Sequence, residues 1–94
     1  MRLEWSARAK NDVLSIADYI ARDSSIHARR HVQRLVDHAK QLTQFPKSGR
    51  IVPEFLDENI REIILGNDRI VYQVNAKQKV VTVVTVFEAH MRLK

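Results

Sequence analysis

Cysteine is absent from this 94-residue sequence, and glycine and proline occur only twice each. Without cysteine there is no disulfide, no thiolate nucleophile and no cysteine-ligated zinc site. No apolar run approaches the roughly 18 residues that a membrane-spanning helix needs, and residues 1–5 lack the apolar core of a signal peptide. From these absences we expect a cytoplasmic protein with no membrane partner.

Length and charge set the next limits. The chain has 16 Lys and Arg residues against 11 Asp and Glu residues, which gives a formal net charge of +5, and 45% of its residues are hydrophobic. This composition is typical of a globular protein, and we expect a single domain over residues 1–94. Such a small domain has little room for a cofactor cleft, so we expect no cofactor. The charge favours an acidic protein or a nucleic acid as partner.

Hydrophobic periodicity predicts an α+β fold. Ser6 is a plausible N-cap for the first helix, and Pro46 ends the second. The predicted elements are strand 2–5, helices 7–22 and 26–44, an ordered loop over 46–58, and strands 59–65, 69–75 and 79–88. The order β-α-α-β-β-β indicates an antiparallel sheet with a two-helix hairpin packed on one face and the opposite face open.

A charged hairpin near the middle of the chain carries the main candidates for function. Its two strands flank the turn-forming triplet Gly66-Asn67-Asp68. Alternation places Arg61 beside apolar residues of the first strand, and Arg69 beside apolar residues of the second. We expect both guanidinium groups to stand exposed on one open face, where they could clamp a phosphate or an acidic peptide. The alternative is that both form surface ion pairs with Glu62, Asp68 or Glu54.

Three further segments are weaker candidates. The segment Pro46-Lys47-Ser48-Gly49-Arg50 matches no phosphate-binding loop, so we expect a structural loop in which Arg50 pairs locally. Glu54 could act as a general base near the arginines, or it could be a solvated side chain. His90 follows the last strand and could transfer protons beside Arg69, or it could be a tail residue.

Histidine spacing on the second helix resembles a zinc site. His27, His31 and His38 lie four and seven residues apart, which places them on one side of a helix. No acidic residue or cysteine accompanies them at ligand spacing, so we expect surface histidines and no metal. Tyr72 alternates away from Arg69, so we expect it to pack beneath the helices.

In combination, the ordered motifs resemble the RelE/ParE superfamily of bacterial type II toxins. They are Trp5, Tyr19-Ile20, Pro46-x-x-Gly49-Arg50, Val52-Pro53-Glu54, Ile60-Arg61-Glu62, Arg69-Ile70-Val71-Tyr72 and Val86-Phe87-Glu88-Ala89-His90. The resemblance covers nearly the whole chain, and the order of predicted elements agrees with the superfamily's fold. It implies a cytoplasmic toxin neutralised by a cognate antitoxin, with operator DNA contacted only through that antitoxin.

The superfamily has two branches with different targets. RelE-like members cut mRNA in the ribosome without a metal, and ParE-like members bind DNA gyrase. The resemblance implies that Arg61 and Arg69 would hold the scissile phosphate in a nuclease, with Glu54 or His90 transferring protons. Ile63 stands where nucleases keep a second basic residue, which favours the ParE-like branch slightly.

The sequence therefore leaves three functions open. The first is gyrase inhibition, the second is ribosome-dependent mRNA cleavage, and the third is a non-toxic module that only binds an antitoxin. In any of them the expected contacts to phosphate or to a protein partner are Arg50, Arg61, Arg69 and Arg92.

Overall fold

Two helices cover one face of a five-stranded sheet in the computed structural model, which describes residues 1–88. The predictions that concern His90 and Arg92 lie outside the described residues. The elements are β1 (Arg2–Trp5), α1 (Ala7–Ala21), α2 (Ser25–Gln41), β2 (Arg50–Ile51), β3 (Ile60–Leu65), β4 (Asp68–Asn75) and β5 (Val80–Glu88). The predicted α+β class and the order β-α-α-β-β-β are confirmed. The short strand β2 was not predicted and lies within the expected loop.

The strands follow the spatial order β1-β5-β4-β3-β2. Neighbouring strands are antiparallel except β1 and β5, which run parallel with Arg2 opposite Val80 and Trp5 opposite Val83. The sheet is therefore mixed rather than wholly antiparallel. A shift in register between Val71 and Tyr72 marks a bulge in the β4–β5 ladder.

Serine hydroxyls begin both helices. The Ser6 hydroxyl accepts a hydrogen bond from the amide of Ala9 at 3.0 Å and donates to the carbonyl of Val84 at 2.7 Å. The Ser24 hydroxyl accepts from the amide of His27 at 3.2 Å. Each cap satisfies an amide that has no partner within its own helix. Ser6 also ties the start of α1 to β5, so one side chain fixes where the helix crosses the sheet.

Alanines at the helix–sheet interface allow close packing. Ala9 and Ala39 are fully buried together with Leu35, against a sheet surface that includes Ile70 and Val83. In a second cluster, the α2 C-cap residue Leu42 packs against the sheet residues Tyr72, Val74 and Val81. The predicted packing of Tyr72 beneath the helices is confirmed.

The β3–β4 turn has two residues, Gly66 and Asn67, rather than the predicted three. Gly66 has a φ of +60°, which glycine adopts without steric cost at the first central position of a type II′ turn. Asp68 instead begins β4 and pairs with Leu65. This change of one residue decides which face each side chain of β4 occupies.

No helix within residues 1–88 is long and apolar enough to cross a membrane.

Candidate functional site

Arg61 and Arg69 lie on opposite faces of the sheet. The register pairs Arg61 with Tyr72, whose side chain packs towards the helices, and pairs Arg69 with Ile64 on the other face. Residues opposite each other in an antiparallel ladder share a face, and alternate residues along a strand switch faces. The prediction that both guanidinium groups stand exposed on one open face is therefore wrong. A three-residue turn would have paired Arg69 with Leu65, on the face of Arg61, and the two-residue turn reverses this.

Arg69 is buried on the face away from the helices, where it pairs with Glu62. The Arg69 residue is 7% exposed and Glu62 is 1% exposed, and a guanidinium nitrogen of Arg69 bonds Glu62 Oε1. Glu54 reaches the same guanidinium group at 3.6 Å. The ring of Phe87 lies 5.1 Å from the guanidinium carbon, which adds a cation–π contact. The positive charge of Arg69 is thus neutralised within the protein.

Arg50 completes this buried cluster of charges. Its Nε and Nη2 atoms donate to Glu62 Oε2 at 3.1 and 2.9 Å, while most of its side chain stays exposed. Arg50 is paired within the protein as expected, but its partner lies 12 residues away on β3 rather than in its own loop. Glu62 therefore accepts from two arginines, one on each carboxylate oxygen. Together with Glu54, the cluster contains two positive and two negative side chains and has no net charge.

Arg61 serves the backbone of two loops. Its Nε donates to the carbonyl of Glu58 at 2.9 Å, and its Nη1 donates to the carbonyl of Gly49 at 2.9 Å. A third carbonyl, that of Lys47, lies 3.5 Å from the same Nη1 atom. These carbonyls belong to the segments before β2 and before β3, so Arg61 holds the two segments together. A guanidinium group used in this way has few N–H groups left for a ligand.

Tyr72 anchors the Pro46–Arg50 segment from the core side. Its hydroxyl donates to the carbonyl of Pro46 at 2.7 Å and accepts from the amide of Gly49 at 2.9 Å. Burial raises the pKa of the Tyr72 phenol, although the hydrogen bond from Gly49 and the nearby Arg61 charge act in the opposite direction. The hydroxyl is therefore kept protonated, as the bond to Pro46 requires. The structural role expected for this segment agrees with these contacts.

The helix side holds a second polar group that the sequence did not indicate. His31 Nε2 lies 2.5 Å from Asp68 Oδ2, and Arg34 Nη2 lies 3.3 Å from His31 Nδ1. Asp68 was expected in the turn or in an ion pair with the arginines. It reaches α2 because it begins β4 on the helix-facing side. The separation of 37 residues between His31 and Asp68 left no local sequence signal for this contact.

The other histidines do not join His31 at a metal site. His38 Nδ1 donates to the carbonyl of Arg34 at 2.9 Å, and His27 is exposed. Within the described part of the chain, no group of three or more His, Asp or Glu side chains could hold a metal ion.

The arrangement of the predicted site residues is therefore mixed. Glu54 and Arg69 come together, which is one of the two alternatives for Glu54, and Glu62 joins them as one of the ion-pair partners considered. Arg61 lies on the other face of the sheet, so it and Arg69 do not point towards a common ligand. The burial of Glu62 was missed because alternation alone placed it opposite the core, where a charged residue is ordinarily solvated.

Known proteins match this chain in sequence. The sequence profile of the family described as ParE toxin of type II toxin-antitoxin system, parDE, matches residues 3–93. A curated relative, Toxin RelE2 from Caulobacter vibrioides, is 37% identical over 54 residues, which are 57% of this chain. The match spans 61% of that relative's length, which is less than two thirds of it.

Solved structures share the fold at low sequence identity. The chromosomal ParDE system from P. aeruginosa matches with a TM-score of 0.76 and 23% identity, covering 94% of this chain and 95% of that one. The RelBE2 toxin–antitoxin complex from Mycobacterium tuberculosis matches with a TM-score of 0.71 and 16% identity, covering 93% and 95%. The intact E. coli RelBE complex matches with a TM-score of 0.62 and 21% identity, covering 96% and 98%.

Proposed function

Because this chain belongs to the ParE toxin family of type II toxin–antitoxin systems, we propose that it arrests bacterial growth by binding DNA gyrase, and that it does not cut mRNA. We propose further that a cognate antitoxin neutralises it. The fold resembles toxins solved within toxin–antitoxin systems of both the ParDE and the RelBE kind, so the choice between targets depends on the site.

The internal neutralisation of Arg69 is the observation that carries the proposal. An RNA-cleaving site must direct several donors at one phosphate as charge develops on it. Here Arg69 is buried against Glu62, and Arg61 bonds backbone carbonyls on the other face. Ile63, where a nuclease would carry a second basic residue, packs against the core. A protein that acts by binding its target has no need of convergent phosphate ligands.

The alternative, an mRNA endoribonuclease, has one favourable observation. Glu54 lies 3.6 Å from Arg69, so a carboxylate and a guanidinium group are adjacent as that mechanism requires. In such an enzyme Arg69 would stabilise the pentavalent phosphorane while Glu54 removed the proton of the 2′-hydroxyl. Glu62 would first have to release Arg69, and the loss of this partner would leave the buried Glu62 carboxylate less well compensated, at a substantial cost in free energy.

The test follows DNA and translation separately. The chain is expressed in a short pulse beside a Leu35→Asp variant, whose buried core substitution provides an unfolded control. Gyrase binding predicts DNA breaks and an SOS response while protein synthesis continues, and purified chain should inhibit supercoiling by gyrase. New 5′ ends within codons of ribosome-bound mRNA would overturn the proposal in favour of the nuclease. Unchanged growth with folded protein would overturn both and favour a module that only binds an antitoxin.

A further inference from the structure

A basic hollow lies on the helix side of the protein, away from the Arg69 cluster. It has a volume of about 350 Å³ and is lined by Ile20, His27, Arg30, His31 and Arg34. Ligand pockets generally measure about 300–1,000 Å³, so the hollow falls at the lower end of that range. Four of the five lining side chains are basic, and no carboxylate lines it among residues 1–88. A concave surface with this composition favours an anion.

Among residues 1–88, the arginines of the hollow have no carboxylate counterion. Arg50 and Arg69 are both paired with Glu62, whereas neither Arg30 nor Arg34 forms an ion pair with a carboxylate within the described residues. Both belong to α2, where a spacing of four residues places their side chains next to each other. Two adjacent cations cost free energy through repulsion, and an anion bound between them would remove that cost.

Asp68 and His31 fix the position of one of these arginines. Because the Asp68 carboxylate can only accept, His31 Nε2 carries a proton and donates to it at 2.5 Å. Nδ1 of the neutral ring then accepts from Arg34 Nη2 at 3.3 Å. Asp68 is only 5% exposed, so it holds His31, and through His31 the Arg34 side chain, in place. The remaining N–H groups of Arg34 stay available to a ligand.

An adjoining groove supplies an aromatic surface. This groove shares Ile20, His31 and Arg34 with the hollow and includes Tyr19, which is 68% exposed. Arg22 lies over the Tyr19 ring with its guanidinium carbon 5.8 Å from the centroid. An exposed aromatic ring in the same groove as Arg34 suits a ligand with an anionic end and a planar end. The groove also contains carboxylates further along, which disfavour a polyanion that extends through it.

We propose that the hollow formed by His27, Arg30, His31 and Arg34 binds the phosphate monoester of a nucleotide, whose base stacks on Tyr19. Phosphate fits better than a carboxylate because two guanidinium groups and the His27 imidazole supply more donors than a carboxylate monoanion can use. Base stacking on an exposed aromatic side chain is tolerant of base identity. The site is independent of the gyrase proposal because it uses no residue of the Arg69 cluster.

The test is an NMR titration of the purified, full-length chain at constant ionic strength. The ligands are inorganic phosphate, AMP, adenosine and acetate, together with a short 5′-phosphorylated RNA to separate a free nucleotide from a strand end. We expect shifts concentrated in residues 27–34 and tighter binding of AMP than of phosphate. Adenosine and acetate should produce little change.

Matched variants locate the site. Arg30→Gln and Arg34→Gln should each weaken phosphate and AMP binding about tenfold, because each removes charge-assisted hydrogen bonds. Arg29→Gln makes the same change of charge at an exposed position of the same helix, outside the hollow. It should leave both affinities unchanged. Tyr19→Ala should weaken AMP binding several-fold and leave phosphate binding unchanged. All four side chains are exposed, so folding is readily confirmed by thermal melts.

Three results would overturn the proposal. Equal weakening by Arg29→Gln would indicate diffuse attraction to the basic helix. Acetate binding as tightly as phosphate would indicate a carboxylate site for a protein partner. The absence of saturable phosphate binding by the folded chain would remove the site altogether, and none of these results bears on whether the protein inhibits gyrase.

Discussion

The amide of Gly49 donates to the hydroxyl of Tyr72 at 2.9 Å, and a methyl group on Gly49 would overlap that hydroxyl. A Cβ at Gly49 would lie 2.5 Å from the Tyr72 oxygen and 2.6 Å from the carbonyl oxygen of Glu62. Real Cβ atoms do not approach other heavy atoms so closely. Only glycine fits at this position of the Pro46–Arg50 segment, because the segment lies so close to the sheet.

Gly49→Ala is expected to destabilise the protein by about 2–3 kcal/mol, since overpacking a fixed backbone and a buried ring costs roughly this much. Gly66→Ala provides the control. It has no atom within 4 Å of its Cβ position, and only its φ of +60° opposes the change, at about 1 kcal/mol. Urea unfolding curves compare the two. A Gly49→Ala protein as stable as Gly66→Ala would contradict the close contact.

Arg69→Met is expected to destabilise the fold by about 3–5 kcal/mol, because it leaves Glu62 buried with one partner fewer. Converting Glu62 to Met in the same chain should recover part of this loss, because both buried charges are then gone and the partners that remain, Arg50 and Glu54, are exposed to solvent. Arg2→Met is the control, because Arg2 pairs with Glu4 at the surface, where such a pair contributes at most about 1 kcal/mol. An Arg69→Met protein of wild-type stability that had lost its toxicity would show that Arg69 contacts the target.

Tyr72→Phe is expected to change how stability depends on pH. Burial raises the pKa of Tyr72 above that of a free tyrosine, which is about 10. The contribution of the hydroxyl is complete below pH 10, and it is lost as pH rises through the folded pKa, because the unfolded chain releases its proton first. Urea unfolding between pH 8 and 11 should therefore show the stability difference between wild type and variant shrinking.

At pH 8 the Tyr72→Phe protein should be less stable than wild type by about 1–3 kcal/mol, since the amide of Gly49 loses its partner. Tyr19→Phe is the control, because the Tyr19 hydroxyl has no hydrogen-bond partner within residues 1–88 and is exposed. Its stability should follow wild type at every pH. A difference for Tyr72→Phe that stayed constant up to pH 11 would show that the buried phenol does not titrate with unfolding.

Asp12→Ala is expected to cost about 1–3 kcal/mol, because it leaves buried donors unsatisfied. Asp12 Oδ2 accepts from the Thr85 hydroxyl at 2.6 Å and from the amide of Val86 at 3.0 Å. These bonds join α1 to β5. Asp18→Ala on the same helix is exposed and should change stability by less than about 0.5 kcal/mol. Thermal melts of the two variants give the comparison, and equal melting temperatures would contradict a docking role for Asp12.

Local patterns predicted the elements of the fold well. Ser6 was expected to cap α1 and does so, and the apolar stripes placed both helices within three residues of their observed ends. These features depend on residues close together in sequence. The strand β2 could not be predicted, because two residues are too few to show alternation and its pairing with β3 depends on the loop between them.

The arrangement of the site was harder to predict because it depends on register. The alternation within each strand was read correctly, so Arg61 and Arg69 each lie where their own strand requires. Their relation depends on the number of residues in the turn, and counting Asp68 with the turn reversed it. The contact between His31 and Asp68 depends on the same count, together with the packing of α2 on the sheet.

The parallel pairing of β1 with β5 has a consequence for synthesis on the ribosome. Arg2–Trp5 are made more than 70 residues before their hydrogen-bonding partners, Val80–Val83. The helical hairpin involves only near neighbours and can form early, whereas the sheet cannot close until β5 has left the exit tunnel. A nascent chain therefore has no completed sheet, and no surface that depends on one, until β5 has been made.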